Sequence, residues 1–252
     1  MSPLPLSGKT ALITGSSRSI GAAIAARLAA EGANVVINYV NGAKAADEVV
    51  AAINAKGAGI AKPIQADVSS VAGAKALVEK TLEAFQSIDI LVLNAGVMGL
   101  NLLENIDEAS YENHFNTNVK GPLFLTQAAA PHLRAGGRVI FFSTSVTAAS
   151  LVTPNYLLYA ATKGAIEQIS RTLSKDLGKR QITVNTISPG PVDTPLFTDG
   201  KTEQQINFFV GLHPPGRIGK PEDISNVVAF LAGPDSVWVN GQNIRVNGGY
   251  VV

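Results

Sequence analysis

The chain has 252 residues, a length at which an α/β fold often forms a single domain. Hydrophobic residues make up 46% and charged residues 15%, which excludes a disordered chain, since disorder needs low hydrophobicity and high charge. Twenty basic side chains against 19 acidic ones leave no basic excess to hold a phosphate backbone, so nucleic acid is not an expected partner.

From the N-terminus, Thr10 to Thr14 reads as a buried strand and Ile20 to Ala30 as an alanine-rich helix stopped by Gly32. Asn34 to Asn38 is a second strand and Ala43 to Ala55 the next helix. Ile60 to Ala66 is a strand, Val71 to Phe85 a helix, and Ile88 to Leu93 another strand. A long helical segment from about Glu108 to Leu133 is interrupted near Gly121-Pro122, before the apolar strand Arg138 to Phe142. Ala160 to Leu177 is a helix, Thr183 to Ile187 a strand, Glu222 to Ala232 a helix and Asn243 to Val246 a last strand. Strand–helix alternation predicts right-handed βαβ units in one doubly wound parallel sheet of about seven strands, with helices on both faces. This is an α/β, Rossmann-type single domain over residues 1–252. The proline-rich stretch from Pro189 to Pro221 breaks the alternation. A loop that long is usually functional, and a substrate lid is expected at about residues 191–220.

Cysteine is absent, which excludes disulfides, zinc thiolates and a thiol nucleophile. His114, His132 and His213 lie far apart, and no metal is expected. No signal peptide or membrane-length apolar run is present, so the expected location is cytoplasmic, with no membrane partner.

Strand one runs into Thr14-Gly15-Ser16-Ser17-Arg18-Ser19-Ile20-Gly21, which opens the first helix. A glycine turn there offers free backbone N–H groups and the positive end of a helix dipole, both suited to a pyrophosphate. NAD sites usually place an acidic residue at the end of strand two, where it would repel a 2′-phosphate. Here that end reads Asn38-Tyr39-Val40-Asn41, with no carboxylate, and the Arg18 guanidinium can pair with a phosphate. NADP(H) is therefore the expected cofactor.

Tyr159 and Lys163 stand at i and i+4 on one helical face, 14 residues or more beyond Ser145 at the end of the fifth strand. Asn118 lies at the break in the long helix, and Pro189-Gly190-Pro191-Val192-Asp193-Thr194 follows the sixth strand. With the glycine turn, Asp67-Val68, Asn94-Ala95-Gly96, Arg217 to Ile224 and Asn247-Gly248-Gly249, this order resembles the short-chain dehydrogenase/reductases over nearly the whole chain. Ser19 departs from the family pattern, standing where a middle glycine is usual; its hydroxyl is expected to donate to the phosphates. The resemblance implies a catalytic tetrad of Asn118, Ser145, Tyr159 and Lys163. In it Ser145 donates to the substrate carbonyl, Tyr159 exchanges the proton, Lys163 lowers the phenol pKa and holds ribose hydroxyls, and Asn118 positions a water. It implies cofactor contacts from Gly15, Ser17, Arg18, Ser19, Ile20, Asn38, Tyr39, Asn41, Asp67 and Val68 in the first half of the chain. Asn94, Ala95, Gly96, Tyr159, Lys163, Pro189, Gly190, Val192 and Thr194 complete that set. Ser143 is the rival of Ser145.

The expected pocket wall is Val97, Met98, Ala148, Leu151, Tyr156 and Pro191 with Phe197, Phe208, Phe209 and Leu212 from the lid. That wall suits an apolar ketone or its alcohol. The chain looks similar to naphthol reductases and carbonyl reductases. A 3-oxoacyl-carrier-protein reductase is the alternative, and would need a basic patch beside the site, for which Lys179, Arg180 and Arg134 are candidates. A non-catalytic NADP(H)-sensing or scaffold protein is an alternative of another class. An enoyl reductase is expected to have a wider Tyr–Lys spacing. Family resemblance also implies a homotetramer, or at least a homodimer, with the apolar end Gly249-Tyr250-Val251-Val252 buried.

Overall fold

The computed structural model describes residues 3–252. Seven strands form one sheet in the order β3-β2-β1-β4-β5-β6-β7: β1 (Thr10–Ile13), β2 (Asn34–Tyr39), β3 (Ala61–Gln65), β4 (Ile88–Leu93), β5 (Leu133–Phe142), β6 (Thr183–Pro189) and β7 (Asn243–Val246). Every pairing is parallel. Buried on both faces, β1 and β4 have no exposed position, which is why they read as continuous apolar runs rather than alternating ones. The edge strands β3 and β7 carry exposed positions.

Helices α1 (Ser19–Ala30) and α2 (Ala43–Asn54) lie on one face with α9 (Pro221–Ala232), packing Ile24, Leu28, Ile53, Ile224 and Val228 into one core cluster. On the other face α3 (Val71–Phe85), α5 (Gly121–Ala129) and α6 (Leu157–Leu177) bury Leu77, Val78, Leu125, Ile166 and Leu177. Each such side chain contributes about 1.5–3 kcal/mol on leaving water. The chain builds outward from β1 to β3, then returns to place β4 beside β1. The strand order therefore reverses between β1 and β4, and a crevice opens at their carboxyl ends.

The expected long helix divides earlier than Gly121-Pro122. Helix α4 (Glu108–Phe115) passes into a π-turn over Asn116–Lys120, and α5 follows. Pro122 takes one of the first two positions of α5, where its missing N–H costs nothing, so it starts a helix rather than breaking one. Strand β5 begins at Leu133, not Arg138. Leu133 pairs with Ile88 and Arg138 with Ile90, and the extra residues form an irregularity that leaves Arg134, Ala135 and Gly136 exposed. Helix α6 starts at Leu157, which puts Tyr159 in its first turn. Two short helices, α7 (Pro195–Thr198) and α8 (Glu203–Gly211), occupy the stretch read as a loop.

Candidate active site

The strand ends β4, β5 and β6, the start of α6 and the segment with α7 and α8 enclose a cavity of about 360 Å³. Ser145, Tyr159 and Lys163 all line it, as do Ile20, Asn94, Gly96, Pro189, Gly190, Val192 and Thr194. Tyr159 is 8% exposed and Lys163 5%, one helical turn apart on the buried face of α6.

Burial pushes the Tyr159 phenol up to about 12, reinforced by Tyr156 and opposed by a hydrogen bond with Thr144. Burial also pulls the Lys163 ammonium down to about 8. Its Nζ donates to the Phe142 carbonyl at 2.8 Å and stands 5.7 Å from the centre of the Tyr159 ring. Both groups are buried in the chain alone, and desolvation disfavours both charged forms.

The Asn118 amide is engaged within the protein. Its Oδ1 accepts from Val97 N at 2.8 Å, and Nδ2 donates to Val97 O at 2.9 Å and Thr162 Oγ1 at 3.1 Å. The π-turn aims this side chain across at the segment after β4. Both amide hydrogens are used there, and the side chain ties the Val97 segment to α6. Gly96 lies close by: a Cβ on it would stand 3.2 Å from Asn118 Oδ1 and 3.4 Å from Lys163 Nζ. Ser143, the rival serine, donates to Glu167 Oε1 at 2.7 Å, whereas Ser145 Oγ donates to Ser188 O at 3.1 Å and accepts from Asn247 Nδ2 at 3.0 Å.

At the glycine turn, Gly15 has φ +61°, and a Cβ there would lie 3.1 Å from Ala95 Cα. Gly21 packs still closer, its Cβ position 2.3 Å from Gly15 O. Ser19 adopts φ +53°, the left-handed region that favours glycine. Arg18 is exposed at the N-cap of α1 and makes no capping side-chain bond, leaving the first-turn N–H groups of α1 open. Ser17 and Ile20 are half-buried beside them.

Two expected contact residues brace the glycine turn, Asn38 from a buried position and Asn94 from the cavity wall. Asn38 accepts from Gly15 N at 3.2 Å and donates to Ile64 O and Ala66 O at 3.2 and 3.1 Å. Asn94 donates to Thr14 O and Gly15 O at 2.9 and 3.1 Å, and the next residue, Ala95, donates its N–H to Thr14 Oγ1 at 2.9 Å. These amides shape the turn. Tyr39 is half-buried and Asn41 exposed at the end of β2. Asp67 is exposed and accepts from Ser69 N at 2.9 Å, while Ser70 caps α3, so Asp67 is not the helix cap; Val68 is buried. Thr194 is buried, its hydroxyl donating to Val192 O at 3.2 Å.

The apolar wall contains Met98, Leu151, Tyr156, Pro191, Phe197, Phe208, Phe209 and Leu212, but neither Val97 nor Ala148; Ala149, Val152 and Leu196 stand there instead. Phe197 and Phe208 both meet Phe209 edge-on, at 5.1 and 5.6 Å between ring centres. Tyr250 also lines the cavity and stacks on His213 at 5.0 Å. In the single chain Tyr250 faces the cavity and Val252 is fully exposed. Tyr250 and Asn247 were missed as site residues, because nothing local in an Asn-Gly-Gly-Tyr run shows that it folds back onto a strand end about 100 residues earlier. Lys179, Arg180 and Arg134 sit before β6 and at the start of β5, at the opposite edge of the sheet. Counting along α6, Lys179 is about 30 Å from Tyr159.

A family model described as enoyl-(acyl carrier protein) reductase matches residues 15–251. The chain is 44% identical to an uncharacterized oxidoreductase of Methylorubrum extorquens, over 97% of this chain and 98% of that one. It is 42% identical to a hydroxynaphthalene reductase-like protein of Metarhizium majus, over 99% and 97% of the two chains. Among solved structures, a short chain dehydrogenase from Burkholderia cenocepacia in complex with NADP superimposes with a TM-score of 0.92 at 37% identity, covering 98% of this chain and 99% of that one.

Proposed function

The chain belongs to the short-chain dehydrogenase/reductase family, and on that premise we propose that it is an NADPH-dependent carbonyl reductase for apolar, ring-bearing ketones. The observation that carries this reading is the convergence of Ser145, Tyr159 and Lys163 on one cavity whose other wall is aromatic and aliphatic. The glycine turn fits a dinucleotide: it has a left-handed Gly15, open N–H groups at α1 and a position at the switch point of the sheet. Arg18, Tyr39 and Asn41 remain to meet a 2′-phosphate, with no carboxylate at the end of β2 to repel it. The Burkholderia relative, solved with NADP, supports the same choice.

When bound, NADPH supplies a hydride to the carbonyl carbon. Ser145 donates its hydroxyl hydrogen to the carbonyl oxygen as negative charge grows there. Tyr159, a neutral phenol at pH 7, releases its proton to that oxygen. Lys163, one turn along, stabilises the phenolate that remains, and its ammonium would hold the cofactor's ribose hydroxyls. Thr194 and the Val192 backbone would hold the nicotinamide carboxamide. The aromatic lid over residues 191–220 excludes water and recognises the ring.

Neither alternative gains from the geometry. The candidate basic patch for a carrier protein lies at the far edge of the sheet. A sensor or scaffold would have no use for a lysine buried at a cost of ionisation. The four-residue Tyr–Lys spacing favours carbonyl over enoyl reduction. We read the chain as a homo-oligomer, supported by exposed apolar residues that include Trp238, Val237 and Phe230.

The test is NADPH oxidation, followed by absorbance, on a panel of ring ketones and a 3-oxoacyl thioester, with NADH in parallel. Ring ketones with NADPH are the expected best pair, and Tyr159→Phe is expected to lose at least a hundredfold in kcat. Preference for the thioester would move the assignment to acyl-carrier reduction, and preference for NADH would overturn the reading of Arg18.

A further inference from the structure

We propose that Asn247, from the loop after β7, is a positioning residue that orients the Ser145 hydroxyl and leaves its hydrogen free to be donated to substrate. The inference rests on the reading of Ser145 given above. A serine hydroxyl has one hydrogen and can donate or accept. At a carbonyl, which only accepts, it must donate, and whether its hydrogen is available depends on its fixed neighbours; Ser145, 1% exposed, has two: Ser188 O, to which it donates at 3.1 Å, and Asn247 Nδ2, from which it accepts at 3.0 Å.

The orientation of the Asn247 amide is set by its other bonds. Oδ1 accepts from Gly249 N at 3.0 Å, and a backbone N–H is only a donor, so the oxygen must face it. The second Nδ2 hydrogen goes to Val251 O at 2.8 Å, and a carbonyl is only an acceptor. A flipped amide would break both bonds. Asn247 therefore offers Ser145 an N–H and nothing that accepts. One lone pair of Ser145 Oγ is held by that N–H, and its hydrogen has two destinations, Ser188 O in the chain alone or a carbonyl oxygen in the cavity. Rotation about the Cβ–Oγ bond carries it from one to the other while Asn247 stays in place. An N–H donated to a hydroxyl also polarises its O–H bond, so Ser145 becomes a stronger donor as charge grows on the carbonyl.

Backbone packing holds Asn247 in this position. Gly190 lies against it so closely that a Cβ there would come within 2.8 Å of the Asn247 Cβ. Gly248 and Gly249 both take left-handed conformations, φ +58° and +81°, which turn the chain so that Val251 O returns to the amide. The same turn carries Tyr250 onto His213 at the end of α8. The residue that orients the serine and the residue that meets the lid thus lie three positions apart on one rigid loop.

A double-mutant cycle tests this with Ser145→Ala, Asn247→Ala and the pair, assayed on the best ketone with NADPH. Asn247→Ala is expected to lower kcat about tenfold or more, with KM and NADPH Kd changed less than twofold. In the Ser145→Ala background it is expected to cost almost nothing further, because its partner is gone. Asn247→Asp retains an acceptor for Gly249 N but can only accept from Ser145, and is expected to lose at least as much kcat as Asn247→Ala; it serves as the second variant if Asn247→Ala does not fold. Losses that multiply across the cycle, or an unchanged kcat in Asn247→Asp, would overturn the proposal while leaving the role of Ser145 intact. A fully active Ser145→Ala would instead sink the reading of Ser145 itself.

Discussion

At the scale of single residues, three asparagines illustrate how far side-chain chemistry can be read from a string. Asn38, Asn94 and Asn118 all stand where the family resemblance places them, at strand ends and a helix break. An amide there can face either ligand or backbone, and in each case the structure engages it with backbone groups of a neighbouring segment. Their sequence positions were legible, but the direction of each amide was not, because its partners lie 20 to 80 residues away. Ser19 is the reverse case. The serine in a glycine position was visible at once, and its φ of +53° gives the consequence in energy. A left-handed conformation costs an L-residue about 1–2 kcal/mol. Ser19→Gly is therefore expected to raise stability by about 1 kcal/mol, a shift of roughly 2–4 °C in Tm at this chain length. If the hydroxyl donates to a cofactor phosphate, the same variant weakens NADPH binding severalfold; thermal unfolding and fluorescence titration of one preparation measure both.

Elements were read well where a periodic apolar pattern was continuous and poorly where tertiary contact substitutes for it. Both α1 and α6 have buried faces of the expected spacing. The π-turn at Asn116–Lys120 has no such signature: one extra residue per turn is tolerated because Asn118 finds partners on the Val97 segment and Thr162. Prolines interrupt the stretch containing α7 and α8, so its sequence reads as a loop. Helices of four and nine residues are marginal alone. They form here because Phe197, Phe208 and Phe209 interlock and Phe209 reaches Tyr250 at 6.4 Å. Removing the central ring should loosen the lid without disturbing the glycine turn. Phe209→Ala is expected to raise KM for a ring ketone about tenfold while NADPH Kd stays within twofold, as read by steady-state kinetics and titration. Faster proteolysis near Gly200-Lys201 would accompany it. Unchanged KM would place the substrate away from this wall.

For the whole molecule, the buried Tyr159–Lys163 pair makes global stability depend on pH in two opposite ways. An unfolded lysine titrates near 10.5, and Lys163 in the fold near 8. Between those values the unfolded chain binds more protons, so on this account stability rises with pH. The full difference is roughly 3 kcal/mol. An unfolded tyrosine ionises near 10 and the folded Tyr159 near 12, so between those values the folded chain binds more protons and stability falls. Lys163→Met should thus be more stable than the natural chain at pH 7, and the advantage should shrink as pH rises from 8 to 10.5. Urea unfolding at pH 7, 9 and 10 would show it; an advantage independent of pH would mean that Lys163 is not buried as a cation.

The succession of strands and helices and the parallel sheet were legible in the linear sequence, because they rest on local periodicity, while the candidate tetrad of Asn118, Ser145, Tyr159 and Lys163 came from the family resemblance of motifs on separate segments. Tyr159 and Lys163 are four residues apart, and no fold is needed to place them on one face. Tertiary structure alone decided the hydrogen-bond partners of Asn38, Asn94 and Asn118, the short helices α7 and α8, the far position of Lys179 and Arg180, and the contact of Asn247 with Ser145. Each of these depends on segments distant in the chain meeting at one edge of the sheet. The hydrogen-bond partner of a side chain is chosen by what the fold brings within 3 Å, and local sequence does not encode that distance.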